Sequence, residues 1–227
     1  MFFDSGGVLV RDVLIASGLG VILGIIFYFL AIYQVSVRAK FTDADTVKKI
    51  KDKRWMIVWI VILTILYNLI FLSDQNMWTQ IMFVLFIAMA LNVSAVDIAL
   101  RRIPNALLLG MMLLKVADII VGGVYGKTNV VEVLFYTLIS MIAIYVLCTL
   151  PSIVGITMGA GDIKYCSVLG FVFGIVGFAQ AMIVMSILLV FYWLYLKKTK
   201  TGSMKTAAPM GPFLSIGALL PIFVALC

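Results

Sequence analysis

The chain has 227 residues, 64% of them apolar and only 12% charged, where an ordinary soluble domain is about 45–50% apolar and about 25% charged. Its mean hydropathy of +1.20 excludes a soluble fold and leaves room only for membrane spans joined by short loops. The net charge of +7 does not signal nucleic acid: basic residues beside spans are expected on the cytoplasmic face, and no basic groove or aromatic platform is left outside the spans.

Apolar runs of the ~20 residues needed to cross a bilayer are expected at about 13–35, 55–73, 78–96, 104–122, 130–150, 163–177, 178–196 and 208–226. The fold class is therefore all-α, a polytopic transmembrane helix bundle of about eight spans. Residues 1–12 carry Asp4 and Asp12 and only Arg11. They lack the basic start of a cleavable signal peptide, so the first span is expected to stay. Gly20 and Gly24, like Gly170 and Gly174, have the spacing that lets helix backbones approach closely. The loop at 36–54 is basic, with Asp43, Asp45 and Asp52 among its lysines, and 39–53 suits a short cytoplasmic helix. In the fourth span Lys115 and Asp118 lie three apart on one helix side, as a neutralising pair or as part of a cleft. The stretch from Tyr165 to Leu196 would rise ~48 Å as one helix, too much for a ~30 Å hydrocarbon core. Gly174 and Gly177 offer a turn there.

Charge sets the orientation. With eight spans and the N-terminus outside, fourteen of the seventeen Lys and Arg residues fall in or beside the cytoplasm. Only Arg11 and Lys127 lie outside, which satisfies the positive-inside rule.

Histidine is absent, and Cys148, Cys166 and Cys227 form no CxxC pair. The usual zinc spacings are excluded, as are Ser–His and Cys–His nucleophile pairs. The cysteines read as small apolar helix residues, and no metal or cofactor is expected. Acid–base chemistry would have to come from Asp, Glu, Lys or Tyr.

Of the ten acidic residues, Asp97 and Asp162 stand out. An ionisable group in or beside a span is costly and marks a candidate functional site. Asp97 closes the third span and Asp162 opens the sixth, so both fall at the cytoplasmic edge of the bundle. Two carboxylates brought together in a low-dielectric site cannot both ionise easily and share a proton. One can then activate a water while the other polarises a peptide carbonyl. Gly159 and Gly161 allow close approach to Asp162, and Pro104 breaks the helix after Asp97. The plainer reading is that each aspartate caps a helix or pairs with Arg101, Arg102 or Lys164.

Asp97 with Ile103-Pro104-Asn105, then Gly159-Ala160-Gly161-Asp162-Ile163-Lys164, then Pro209-Met210-Gly211-Pro212-Phe213-Leu214 together resemble the type 4 prepilin peptidases, GxGD-class membrane aspartic proteases. The resemblance runs from about residue 90 to 217. It implies a catalytic core over 91–227 and an N-terminal transmembrane region over 1–90. It further implies cleavage of short basic leader peptides from type IV prepilins and pseudopilins at the cytoplasmic membrane face, after a glycine. Asp97 and Asp162 match the family's catalytic aspartates. Pro104, Asn105, Gly159, Gly161, Lys164, Pro209, Gly211 and Pro212 match supporting motif positions. The implied partners are those substrates, the bilayer of the cytoplasmic membrane, and pilus or secretion assembly proteins. Bifunctional members carry paired CxxC motifs associated with N-methylation. Residues 1–90 have no cysteine, so methyltransferase activity is not expected.

Three other readings are open to the same residues. A presenilin-like protease would share the dyad, but its Pro-Ala-Leu motif is missing. A small ion- or proton-coupled transporter would line its path with Asp97, Lys115, Asp118 and Asp162. A non-catalytic assembly subunit would use the aspartates structurally.

Overall fold

The computed structural model describes residues 4–38, 53–73, 75–126, 129–155, 158–199 and 209–226. The expected short helix in the 36–54 loop lies outside the described residues, with Asp43, Asp45 and Asp52; so do Asp74, Lys127, Lys200 and Lys205. Among the described residues all regular structure is helical: α1 (Asp4–Arg38), α2 (Lys53–Phe71), α3 (Met77–Leu100), α4 (Asn105–Val124), α5 (Val130–Thr149), a 3-10 turn (Leu150–Val154), α6 (Ala160–Thr199), α7 (Met210–Gly217) and α8 (Leu219–Leu226). Five stretches are long and apolar enough to cross a membrane: Arg11–Arg38, Met77–Leu100, Asn105–Val124, Val130–Ile153 and Ala160–Thr199. Shorter apolar helical stretches cover Met56–Phe71 and Met210–Ala225. The chain is an all-α, multi-pass membrane protein.

The chain forms two compact units, Met1–Leu100 with Leu226–Cys227, and Arg101–Ala225. In the first, α1 packs on α2 and α3, and α2 packs on α3. Helices that are apolar on every side cannot sort their faces by hydrophobicity, so shape decides. On α1 the buried positions are Ala16, Gly20, Gly24, Phe27, Tyr28, Ala31 and Val35, a helical stripe at every third or fourth residue. A Cβ on Gly20 would lie 2.7 Å from Thr64 Cα, and one on Gly24 3.0 Å from Ile60 Cα. The two glycines thus let the backbones of α1 and α2 meet. Ser17 and Asn68 add a polar contact across the pair, with Asn68 Nδ2 donating to Ser17 Oγ at 3.1 Å. Over half of the α3 window is buried, 56% against 17–28% for the other four long stretches, so α3 carries the core of this unit.

In the second unit α5 packs on α6, α6 also meets α4 and α7, and α4 meets α5. The α5–α6 pair runs antiparallel in a register that small residues fix. A Cβ on Gly170 would lie 2.2 Å from Ile144 Cδ1, and one on Gly174 would lie 2.9 Å from the Tyr136 ring. Further along the same seam Cys148 and Cys166 face each other as neighbouring small helix residues. The expected turn in the 165–196 stretch falls at Gly174, whose φ of 71° and ψ of −176° are not helical. Counting α6 as the two arms on either side of Gly174 gives the eight apolar segments anticipated from sequence.

That geometry fixes a prediction. The left-handed φ of Gly174 is open to glycine and strained for any L side chain, and the Tyr136 ring fills the space where a Cβ would stand. Gly174→Ala is expected to cost about 1–3 kcal/mol, read as a lower unfolding midpoint in detergent. An unchanged midpoint would show that the break at Gly174 is not needed.

Candidate active site

Asp97 lies in the last turn of α3 and is only 5% exposed. The preceding turns of this apolar helix carry further buried polar groups. Ser94, three residues earlier and on the same helix side, donates from Oγ to the Ala90 carbonyl at 3.0 Å. Asn92 is fully buried. Its Nδ2 donates to the Ala88 carbonyl at 3.0 Å, while its Oδ1 has no hydrogen-bond partner among the described residues. Burying such groups in a membrane helix is costly, and their concentration near Asp97 makes this end of α3 a candidate functional site. The sequence reading passed over Asn92 and Ser94, because single polar residues in a long apolar run carry no spacing signal.

After α3 the chain turns sharply. Arg101 has φ 51°, the left-handed stop that glycine usually supplies after a helix. Pro104 follows in an extended conformation and serves as N-cap of α4, with Leu107 N donating to its carbonyl at 3.1 Å. The helix break expected from Pro104 is thereby in place, and Asn105 is the first residue of α4.

Asp162 sits in the first turn of α6 and is half-buried. The Gly159 carbonyl accepts the first helical hydrogen bond, from Ile163 N at 3.1 Å, so Asp162 is the third helical residue. The unsatisfied N–H groups of a helix start carry partial positive charge, which suits a carboxylate there. The side chain folds back over Gly159: a Cβ on that glycine would lie 2.6 Å from Asp162 Oδ2. Gly161 does something different. Its missing Cβ makes room for Ile103, whose Cβ would be 3.3 Å away. Ile103 is therefore seated against the GxGD turn. Asn105 and Lys164 line one and the same groove.

The third motif forms the start of α7. Pro209 is its N-cap, Gly211 is buried and Pro212 is the third helical residue. Proline is tolerated in a first turn because the N–H it lacks would have no intrahelical partner. Tyr165, fully buried one turn after Asp162, shares a 2.8 Å hydrogen bond with Ser215 Oγ of α7. A Cβ on Gly217 would lie 2.3 Å from the Ala181 carbonyl oxygen, so α7 lies tight against α6. Lys115 and Asp118 form the ion pair expected of them, at 3.1 Å and partly exposed.

The Tyr165–Ser215 bond ties α6 to α7 and has no signal in the sequence. Fifty residues separate the two side chains, and neither belongs to a quoted motif. A double-mutant cycle with Tyr165→Phe and Ser215→Ala is expected to give a coupling of about 0.6 kcal/mol, and no more than about 1.7, the range for hydrogen bonds between membrane helices. Unfolding in mixed micelles measures it, and strictly additive effects would remove the bond from the account.

Both aspartates, the Ile103-Pro104-Asn105 segment and the GxGD turn fall within residues 84–194, which match the model of the type IV leader peptidase family. This part of the chain belongs to that family. The leader peptidase match starts inside α3 and ends inside α6, while the α7 motif lies beyond it. No curated protein and no solved structure gives a significant match. As a leader peptidase the chain is a hydrolase, which is at odds with the transporter that its charged span residues also allow.

Proposed function

We propose that the chain is an aspartic endopeptidase that removes the short basic leader from type IV prepilins or pseudopilins, with Asp97 and Asp162 as its catalytic pair. The observation that carries this reading is the leader peptidase match, which includes both aspartates. The location of each supports it: one ends a long apolar helix and the other begins one, as residues working at a membrane surface must.

The two carboxylates hold one proton between them. The ionised one draws a proton from a water, and the water oxygen adds to the scissile carbonyl carbon. The protonated one gives its proton to the carbonyl oxygen. Collapse of the tetrahedral intermediate breaks the C–N bond, and the amide nitrogen leaves with a proton returned from the pair. The products are a leader with a free carboxylate and a mature chain with a free amine. The substrate's apolar segment lies in the bilayer and its basic leader in the cytoplasm, which places the scissile bond after a glycine at the interface. The membrane is the cytoplasmic one, with the N-terminus outside and pilus or secretion assembly proteins as neighbours. Residues 1–90 carry no cysteine, and no methyl transfer is proposed.

The test is cleavage in proteoliposomes with a prepilin-type precursor, followed by N-terminal sequencing of the product. A single cut after the leader glycine is expected. Failure to cut any of several prepilin-type leaders, or a cut inside the apolar segment, would overturn the proposal.

A further inference from the structure

Two thiols meet on the seam between α5 and α6. Tyr136 of α5 stands beside Gly174 of α6, and Ile144 packs where Gly170 lacks a side chain. These contacts set an antiparallel register. One turn further along α5 and one turn back along α6, that register brings Cys148 opposite Cys166, and the two side chains face each other there. Both are free thiols; Cys166 is fully buried and Cys148 is partly exposed. Packed helices have their axes about 8–10 Å apart, with Cα atoms about 2.3 Å from each axis. Facing Cα atoms on such a pair fall within reach of the span of about 4.4–6.8 Å that a disulfide bridges.

The place of the pair in the fold gives it a consequence. Cys166 follows Asp162 by four residues, on the same side of α6. Cys148 stands in the last turn of α5. The dithiol therefore lies one turn from Asp162, at the end of the helix pair where α5 stops and α6 starts. Leader cleavage by two aspartates uses no thiol.

We infer that Cys148 and Cys166 form a redox switch, a dithiol that a hydroperoxide closes to a disulfide. Cys148 is the accessible member and reacts first, as the thiolate. Its sulfur takes one oxygen of hydrogen peroxide, the O–O bond breaks, and the departing hydroxide gains the thiol proton to become water. The Cys166 sulfur then attacks the sulfenic acid at Cys148. The S–S bond forms, the S–O bond breaks, and the hydroxide leaves with the Cys166 proton as a second water. Two electrons pass from the thiols to the peroxide. An added dithiol reopens the bond by exchange. Closing it draws two non-bonded sulfurs together and pulls the first turns of α6, with Asp162, against α5. The effect on catalysis rests on the proposed function: the closed form holds the Asp162 carboxylate out of aim. At a cytoplasmic membrane face the glutathione pool keeps the pair open, so the closed form belongs to oxidative conditions.

The experiment treats the full chain in proteoliposomes with hydrogen peroxide, blocks the remaining thiols with N-ethylmaleimide, and maps peptides by mass spectrometry with and without dithiothreitol. A peptide joined through Cys148 and Cys166 is expected, and dithiothreitol should split it. Cys227→Ser should keep the joined peptide, while Cys148→Ser and Cys166→Ser should each abolish it. Cleavage of a prepilin-type precursor should fall about tenfold or more on oxidation, towards the roughly 10²-fold loss for a 1 Å misplacement, and recover with dithiothreitol. Cys148→Ser should cleave at the wild-type rate and keep that rate in peroxide, which separates the switch from general oxidative damage. Maleimide on both Cys148 and Cys166 after peroxide, or joining of either to Cys227 instead, would overturn the site. A joined chain that cleaves as fast as the reduced one would overturn the switch. The linkage is read without turnover, so a chain that cuts no leader even when reduced counts against the peptidase reading and leaves the disulfide standing.

Discussion

Asp97→Asn and Asp162→Asn should each lower leader cleavage by about 10²–10⁴-fold, the range for removing a positioned acid or base. Asparagine keeps the size of aspartate and can still hydrogen-bond, but it can neither take a proton from water nor give one to a carbonyl. The fold should survive both changes. Asp97 is almost fully buried, and a neutral amide is cheaper to bury than a charge. Asp162 occupies the first turn of α6, where asparagine still presents an oxygen to the free N–H groups, at the loss of some favourable interaction with the helix dipole. The double variant should fall little further than either single one, because groups acting as a unit are not additive. The check is single-turnover cleavage in proteoliposomes, with the unfolding midpoint of each variant measured alongside. A folded variant that cuts at nearly the wild-type rate would remove that aspartate from the mechanism. If both do so, the aspartates are structural and the peptidase chemistry lies elsewhere.

The fold was legible where physical chemistry leaves few choices. A stretch of apolar residues too long for one crossing needs a break, and Gly174 supplies it. Pro104 breaks the chain after α3 because proline lacks the N–H that a helix interior needs, and α4 starts directly after it. What the sequence hides is which faces meet. Helices apolar on all sides carry no amphipathic signal, so the packing of Gly170 on Ile144 or of Gly217 on the Ala181 carbonyl is visible only in three dimensions. The site follows the same rule. Asp97 and Asp162 show because charge is rare in a span. The Tyr165–Ser215 bond stays hidden because two hydroxyls fifty residues apart look like ordinary polar residues. The two motif glycines look equivalent in sequence as well. Their surroundings make them different.

Gly159→Ala is expected to lower cleavage by about 10²-fold, the loss associated with misplacing a reacting group by roughly 1 Å, while the protein stays folded. The new methyl carbon would stand 2.6 Å from Asp162 Oδ2, closer than such atoms approach. The carboxylate is the flexible end of its side chain, so it would swing away at small cost to the fold and large cost to its aim. Gly161→Ala meets a softer obstacle. Its methyl would stand 3.3 Å from Ile103 Cβ, and a shift of a few tenths of an ångström in Ile103 relieves the contact. Its loss should be under about tenfold, since the shift is well below the 1 Å misplacement that costs 10²-fold. The order of the two effects is the measurement that matters. If the glycines serve only to loosen the backbone, both alanines should reduce cleavage alike. If Gly159 is there to let the Asp162 carboxylate lie back over it, Gly159→Ala alone should approach the rate of Asp162→Asn. An effect of Gly161→Ala equal to or larger than that of Gly159→Ala would rule out the second account.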